Sequence, residues 1–332
     1  MNQIKVLLLT EQEVAGLLSI EEVLEVVELA FREHALGYAQ MPPKTYVNYL
    51  KHNGDLRTMP AYLERLDISA VKIVNSHPDN MKKFSLPTVM ATILLIEPKN
   101  GQLLAILGGR NITAMRTGAA GGIAAKYLAK KDSKTASFIG AGAQARTQLL
   151  ALLSVFPSLT AVKVWDRSST AAEAFVAETK AQTGQLRVTS AKTAQDAVAG
   201  ADIVVTTTPS TKPLVLNSWI PDGTHFNCIG ADAPGKEELE PAILRRSKII
   251  VDDWEQASHS GEINVPLSQG MISKESIWAE LGEVVAGIKP GRSFKHEVTI
   301  FDSTGLAIQD AITAELVYRK AVDKKIGHFI NI

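Results

Sequence analysis

The run Ser137-Phe138-Ile139-Gly140-Ala141-Gly142-Ala143-Gln144-Ala145 constrains the fold more than any other stretch of this chain. A short apolar strand pattern enters a Gly-x-Gly-x-x-Ala turn, and a helical pattern through Thr147, Leu149, Leu150, Leu152 and Leu153 leaves it at once. Glycines there permit a tight bend and close backbone approach, so the N–H groups that open the helix can face a pyrophosphate. An ordinary strand-to-helix turn could use the same residues; the strand before and the helix after favour a dinucleotide. Asp166 closes the next strand pattern, Val162 to Asp166, where a carboxylate can accept hydrogen bonds from the adenosine ribose and repels a 2′-phosphate. NAD is therefore favoured. NADP stays open because Arg167, Ser168 and Ser169 follow directly, and a solvated strand-end aspartate is the bland alternative. Thr206-Thr207-Thr208-Pro209 ends a further strand pattern and offers hydroxyls to the same cleft. The candidate cofactor contacts are Gly140, Gly142, Ala143, Gln144, Ala145, Asp166, Arg167, Thr208 and Pro209, with Thr117.

Around that turn the pattern alternates. Strands are expected at 135–139, 162–166, 186–188, 203–208, 225–229, 249–251 and 298–301, with helical stretches between most of them, which predicts a parallel sheet covered on both faces. The N-terminal third differs. Thr10 with Glu13 and Ser19 with Glu22 are helix-start pairs, and Val23, Val26, Val27, Ala30 and Phe31 give an amphipathic helix ending near Gly37. Strand patterns follow at 46–50, 56–62, 68–75, 88–96 and 103–107, the last two joined by Glu97-Pro98-Lys99-Asn100-Gly101 as an antiparallel hairpin. This is an α+β unit. A small-residue helix opens near Thr113, and a terminal helix, about 307–322, is free to return to the N-terminal unit.

With 332 residues the chain suits about two domains. Thirty-five basic residues against 35 acidic ones leave no field to attract nucleic acid, and 45% apolar content excludes bulk disorder. Cys228 stands alone, so neither an intrachain disulfide nor a cysteine zinc site is available, and the seven histidines lack metal-ligand spacing; no metal is expected. The N-terminus lacks a secretory h-region, and no apolar run approaches the ~20 residues of a membrane span. A soluble, cytoplasmic protein is expected.

Several charged residues sit where a bland surface would not put them. Arg57 and Lys72 interrupt apolar strand patterns, and alternation puts Lys72 on the side of Ala70 and Val74. In a cleft its ammonium would be partly desolvated and able to transfer protons near neutrality; on an edge strand it would only guard against aggregation. Arg116 is expected in the first turn of the small-residue helix, a poor place for a cation, so either a ligand anion or a structural salt bridge compensates it. Asp232 follows a parallel strand at its carboxyl end, where open α/β sheets place ligands, although turns also favour aspartate.

Taken in order, the segments 54–60 (GDLRTMP), 74–78 (VNSHP), 86–90 (LPTVM), 115–120 (MRTGAA), 139–142 (IGAG), 230–236 (GADAPGK), 261–264 (GEIN) and 301–305 (FDSTG) resemble the ornithine cyclodeaminase/mu-crystallin family over nearly the whole chain. Within that family the Pro-Pro-Lys, Arg-x-Met-Pro and Asp-Ser-Thr-Gly segments are most similar to the archaeal-type alanine dehydrogenases. The resemblance implies an α/β fold in which a Rossmann NAD-binding domain, 115–305, is inserted into an α+β substrate-binding and dimerisation domain, 1–114 with 306–332, in a homodimer. It implies that Lys44, Lys72 and Arg116 hold a substrate carboxylate, that Asp232 is the acidic catalytic residue, and that Thr304 and Gly305 lie near the nicotinamide. Cyclodeaminases of the family carry an acid where this chain has Arg57, which disfavours ornithine here and favours a compact 2-amino or 2-oxo acid. The expected reaction is NAD-dependent interconversion of L-alanine with pyruvate and ammonia through an imine. Lys72 and Asp232 would be catalytic, and Arg57, Arg116 and Lys44 would bind substrate. Ornithine cyclisation and reduction of a cyclic ketimine such as pyrroline-2-carboxylate are the alternatives, with a non-catalytic mu-crystallin-like binder as a third.

Overall fold

The computed structural model describes residues 4–184 and 186–332, which divide into two compact units: one of residues up to 116 with 306–332, the other between 117 and 305.

The first unit is built on an eight-stranded sheet. Its strands run in the order His328–Asn331, Lys5–Leu9, Leu103–Gly108, Val89–Ile96, Ile68–Ser76, Gly54–Leu63 and Ala39–Gln40, with Thr45–Tyr49 also paired to Gly54–Leu63. Pairing is antiparallel except between Lys5–Leu9 and Leu103–Gly108. Both expected helix-start pairs form: Thr10 and Glu13 make a reciprocal capping box, and Ser19 accepts from the Glu22 amide ahead of the helix Ile20–Ala35. That helix buries Val23, Val27, Ala30 and Phe31, and the terminal helix Ala307–Lys324 packs against both it and the sheet. The return of the terminal helix to the N-terminal unit is thus realised. The strand Ile68–Ser76 buries Ile68, Ala70, Lys72 and Val74 in alternation, so a lysine occupies a core position on the helix-covered face.

One helix boundary differs from the sequence expectation. The small-residue helix runs Arg110–Leu128, starting before Thr113, because the Glu11 carboxylate accepts hydrogen bonds from the Arg110 and Asn111 amides at 2.8 and 3.1 Å. An acid 100 residues upstream satisfies donors that nearby residues leave open. Arg116 therefore lies well inside the helix rather than in its first turn, and the dipole argument against a cation there lapses.

The second unit is a doubly wound parallel sheet. Its order is Arg187–Ser190, Ala161–Trp165, Thr135–Ile139, Ile203–Thr206, His225–Cys228, Val298–Asp302, Ser247–Val251 and Ile277–Glu280. Strand order reverses between Thr135–Ile139 and Ile203–Thr206, which makes their carboxyl ends the topological switch point of the sheet. Two apolar clusters cover the sheet, one around Phe138, Leu149, Val162 and Phe175, the other around Val204, Phe226, Ile249 and Ile300. The pattern did not announce the edge strand Ile277–Glu280, nor the separate parallel pair Thr211–Val215 and Glu237–Leu239. Among the described residues no helix is long and apolar enough to cross a membrane.

Candidate active site

In the first unit, Lys72 is 1% exposed on a strand paired on both sides, so the edge-strand reading of this lysine is corrected. Its Nζ lies 2.6 Å from Oδ2 of Asp310, on the terminal helix. The other oxygen of Asp310 receives Nε of Arg116 at 3.0 Å, and Arg116 Nη1 donates to Gln309 Oε1 at 2.9 Å. Both Arg116 and Asp310 are buried. Of the two anions considered for Arg116, the structural one is present. Burial, the Arg116 charge and, more weakly, Lys44 push the Lys72 ammonium down from its ordinary range to about 7, against the opposing pull of Asp310. Lys44 thus belongs to the same electrostatic neighbourhood. Gln309 is fully buried, and its Nε2 has no hydrogen-bond partner among the described residues, which leaves a donor beside this charge cluster.

Arg57 lies on the same sheet face. Its strand position pairs with Val74 and that of Met59 with Lys72, so residues 57 and 59 project together with 72 and 74. The guanidinium grips Asp55 in a two-point contact, Nε to Oδ1 at 3.2 Å and Nη2 to Oδ2 at 2.8 Å, with the Tyr46 ring 5.4 Å away. Asp55 therefore compensates part of the Arg57 charge. Sequence reasoning missed Asp55, Gln309 and Asp310. The signal for the last two was a polar pair inside the otherwise apolar run Ala307-Ile308-Gln309-Asp310-Ala311-Ile312.

In the second unit the glycine turn has the expected context: strand Thr135–Ile139, then helix Ala143–Val155 with Gly142 as its N-cap. Gly140 has φ +103°, and a Cβ there would stand 2.8 Å from Thr207 Oγ1, so both the bend and the neighbouring strand end require glycine. A Cβ on Gly142 would meet nothing within 4 Å, and no side chain caps this helix. Gly142 and Ala143 are exposed, so the helix opens at the surface with backbone donors that no side chain satisfies. Asp166 stands one residue past the strand Ala161–Trp165 and stitches the turn: Oδ2 accepts from the Ala141 amide and Oδ1 from the Ser168 amide, each at 2.8 Å. Arg167 is exposed beside it. Thr117 is buried, and its carbonyl accepts from Gln148 at 2.7 Å.

The rest of the rim is held by buried acids. Glu238 Oε1 accepts from the Thr208 amide and hydroxyl at 2.6 and 2.7 Å, while Oε2 accepts from the Gly230 amide at 3.0 Å. Glu262 accepts from the amides of Glu238 and Leu239, and Asp302 from those of Glu262 and Ile263. Asp252 accepts from the Thr304 and Gly305 amides at 2.6 and 2.7 Å. Burial pushes Glu238 up to about 7 and Asp302 up to about 8, and burial together with the Glu238 charge holds Glu262 well above the ordinary carboxylate range. Asp232, on the loop after His225–Cys228, is partly exposed and pairs with Lys236 at 2.5 Å. Pro209 follows Thr208 on the adjacent loop.

A family model for the ornithine cyclodeaminase/mu-crystallin family matches residues 4–325. An alanine dehydrogenase of Archaeoglobus fulgidus is 50% identical over 325 residues, 98% of each chain. Among solved structures, an archaeal alanine dehydrogenase dimer with bound NAD is similar at TM-score 0.94 and 49% identity, covering 98% of this chain and 99% of that one. A Δ1-pyrroline-2-carboxylate reductase of Thermococcus litoralis, in complex with NADH and L-proline, is similar at TM-score 0.95 and 44% identity, covering 98% of this chain and all of that one.

Proposed function

We propose, from the premise that this chain belongs to the ornithine cyclodeaminase/mu-crystallin family, that it is an NAD-dependent oxidoreductase interconverting L-alanine with pyruvate and ammonia through an imine. The observation that carries the substrate class is that two buried cations, Lys72 and Arg116, share one carboxylate, Asp310, beside Gln309 Nε2, a buried donor with no partner among the described residues. A small carboxylate is a ligand that suits such a cluster. Arg116, Arg57 and Lys44 take the substrate carboxylate. Lys72 orients it when charged and relays a proton when neutral, which a pKa of about 7 permits at physiological pH. Asp232 stabilises positive charge on the imine nitrogen and positions the water that attacks the imine carbon.

NAD, when bound, supplies the acceptor for the α-hydrogen and its electron pair. The backbone donors at 143–145 hold its pyrophosphate and Asp166 its adenosine ribose, with Thr117, Arg167, Thr208 and Pro209 beside them and Thr304 and Gly305 toward the nicotinamide. Water adds to the iminium carbon, and departure of ammonia leaves pyruvate.

The protein acts as a cytoplasmic homodimer in this reading. Leu50 is 91% exposed, and the exposed Phe84, Leu86 and Met90 line a groove of about 450 Å³ in the first unit together with polar residues such as Lys51, Asp79 and Lys83, a mixed surface suited to a second copy.

Cofactor absorbance followed with pyruvate plus ammonia, with ornithine and with pyrroline-2-carboxylate tests the assignment. Turnover of pyruvate plus ammonia is expected, and turnover of the cyclic imine alone would replace alanine as the substrate. That second reading, cyclic ketimine reduction, is favoured by the 44% identity to a reductase holding L-proline.

A further inference from the structure

We infer that Glu238 is a positioning residue whose two carboxylate oxygens clasp the loop after Ile203–Thr206 to the loop that carries Asp232, fixing the catalytic acid relative to the dinucleotide turn. This rests on the role proposed for Asp232. One oxygen takes both donors of Thr208 and the other takes the Gly230 amide, so a single side chain spans two loops that leave adjacent strands. The Thr208 loop is tied in turn to the glycine turn: the Thr207 amide donates to Ile139 O at 2.9 Å and its hydroxyl to Gly140 O at 3.2 Å. An unbroken hydrogen-bonded path therefore runs from Gly140 through Thr207, Thr208 and Glu238 to Gly230, two residues from Asp232.

Gly230 is what makes the clasp possible. A Cβ at that position would collide with the Thr208 backbone and stand 2.6 Å from Glu238 Oε2. Glu238 is itself held from behind, since the Glu262 carboxylate accepts from its amide at 2.8 Å. The Glu238 side chain is fully buried and the Thr208 and Gly230 groups bonded to it are donors, which suits an ionised, acceptor-only group. Burial pushes its pKa up to about 7, so that the ionised form depends on those donors. A buried carboxylate of this kind carries a desolvation cost that packing alone would not maintain. Its geometric return is the fixed separation of two loops.

The test compares wild type with Glu238→Gln, which keeps one acceptor and turns a donor toward the Gly230 amide. NADH binding is read by fluorescence titration, and turnover by NADH consumption with pyruvate and ammonia. The expected result is full NADH stoichiometry with little change in affinity and in KM for pyruvate, but kcat lower by about 10- to 100-fold. Glu238→Asp, which keeps the charge on a shorter arm, should also lose kcat with NADH stoichiometry intact. Unchanged kcat in Glu238→Gln, or a fall in NADH stoichiometry parallel to the fall in kcat, would overturn the positioning role. Amide exchange in the wild-type protein covers the case in which neither variant folds: slow exchange at Thr208 and Gly230 is expected, and rapid exchange at both removes the clasp. An inactive wild type would instead strike the proposed function and leave these exchange data standing.

Discussion

Removing the carboxylate of Asp310 should move the Lys72 titration, and the size of the move follows from the geometry. Lys72 Nζ and Asp310 Oδ2 are 2.6 Å apart, and both side chains are almost fully buried. Even at the dielectric constant of water, that separation corresponds to about 1.6 kcal/mol of attraction, and a hydrogen bond to a charged group contributes about 1.5–3 kcal/mol. At 1.36 kcal/mol per unit, losing it lowers the Lys72 pKa by about 1–2 units. The sign is fixed: burial and Arg116 already hold the group down at about 7, and Asp310 is the influence that raises it. Asp310→Asn should therefore shift the midpoint to about pH 5–6. Pyruvate as a product inhibitor against alanine is a clean reporter, because pyruvate itself does not titrate near neutrality. In the wild type its binding should weaken above pH 7 as Lys72 loses its charge. In Asp310→Asn the weakening should begin about 1–2 units lower, in Asp310→Glu it should stay near 7, and in Lys72→Arg it should vanish. A break at the same pH in Asp310→Asn, or one that survives in Lys72→Arg, would refute the assignment of this titration to Lys72.

Asp166→Ser should raise the preference for NADP over NAD in kcat/KM by about tenfold or more, because the carboxylate that repels a 2′-phosphate is gone; an unchanged ratio in initial-rate assays would show that Asp166 does not read the ribose. The buried acids of the second unit have pKa values above those of the unfolded chain, so the native state holds protons that the unfolded state has released, and stability should fall as pH rises from about 4 to 8. Asp302→Asn should flatten that fall in urea titrations at a series of pH values, and an unchanged slope would remove Asp302 as a contributor. Leu50→Asp combined with Phe84→Asp should convert the proposed dimer to a monomer in sedimentation velocity while the far-UV circular dichroism stays native, because both side chains are exposed on the isolated chain, and a wild type that sediments as a monomer would remove the proposed dimer.

The second unit was readable because its signals are local. A strand, a glycine turn and a helix occupy one short run, and the expected strand 135–139 matches the observed Thr135–Ile139. The N-terminal strands were legible from β-branched runs and the Glu97–Gly101 turn. What escaped were features made by partners distant in sequence. The Arg110 start of the small-residue helix depends on Glu11, and the Arg116 pairing on an aspartate 194 residues away. The strand Lys5–Leu9 acquires its identity from pairing with His328–Asn331 at the other end of the chain. The acids at 238, 252, 262 and 302 sit in segments whose local pattern explains them equally well as surface groups, and only the fold reveals the backbone donors that each one satisfies.

The two buried charge clusters obey one rule and reach opposite outcomes. Around Glu238, Glu262, Asp302 and Asp252, the carboxylates meet backbone amides of adjoining loops, so the hydrogen-bonding demand is met within the protein and the cluster serves as scaffold. Around Lys72 one aspartate serves two buried cations, a lysine and an arginine, and Gln309 Nε2 is a buried donor without a partner among the described residues. Backbone carbonyls could have satisfied these donors, as they do for Arg292, which donates to the carbonyls of Leu128 and Glu297. With its pKa lowered to about 7, Lys72 can shed its proton when the cluster is empty, and a bound anion would favour the charged form. In the proposed reaction that anion is the substrate carboxylate, so bound pyruvate should raise the Lys72 pKa just as Asp310 does.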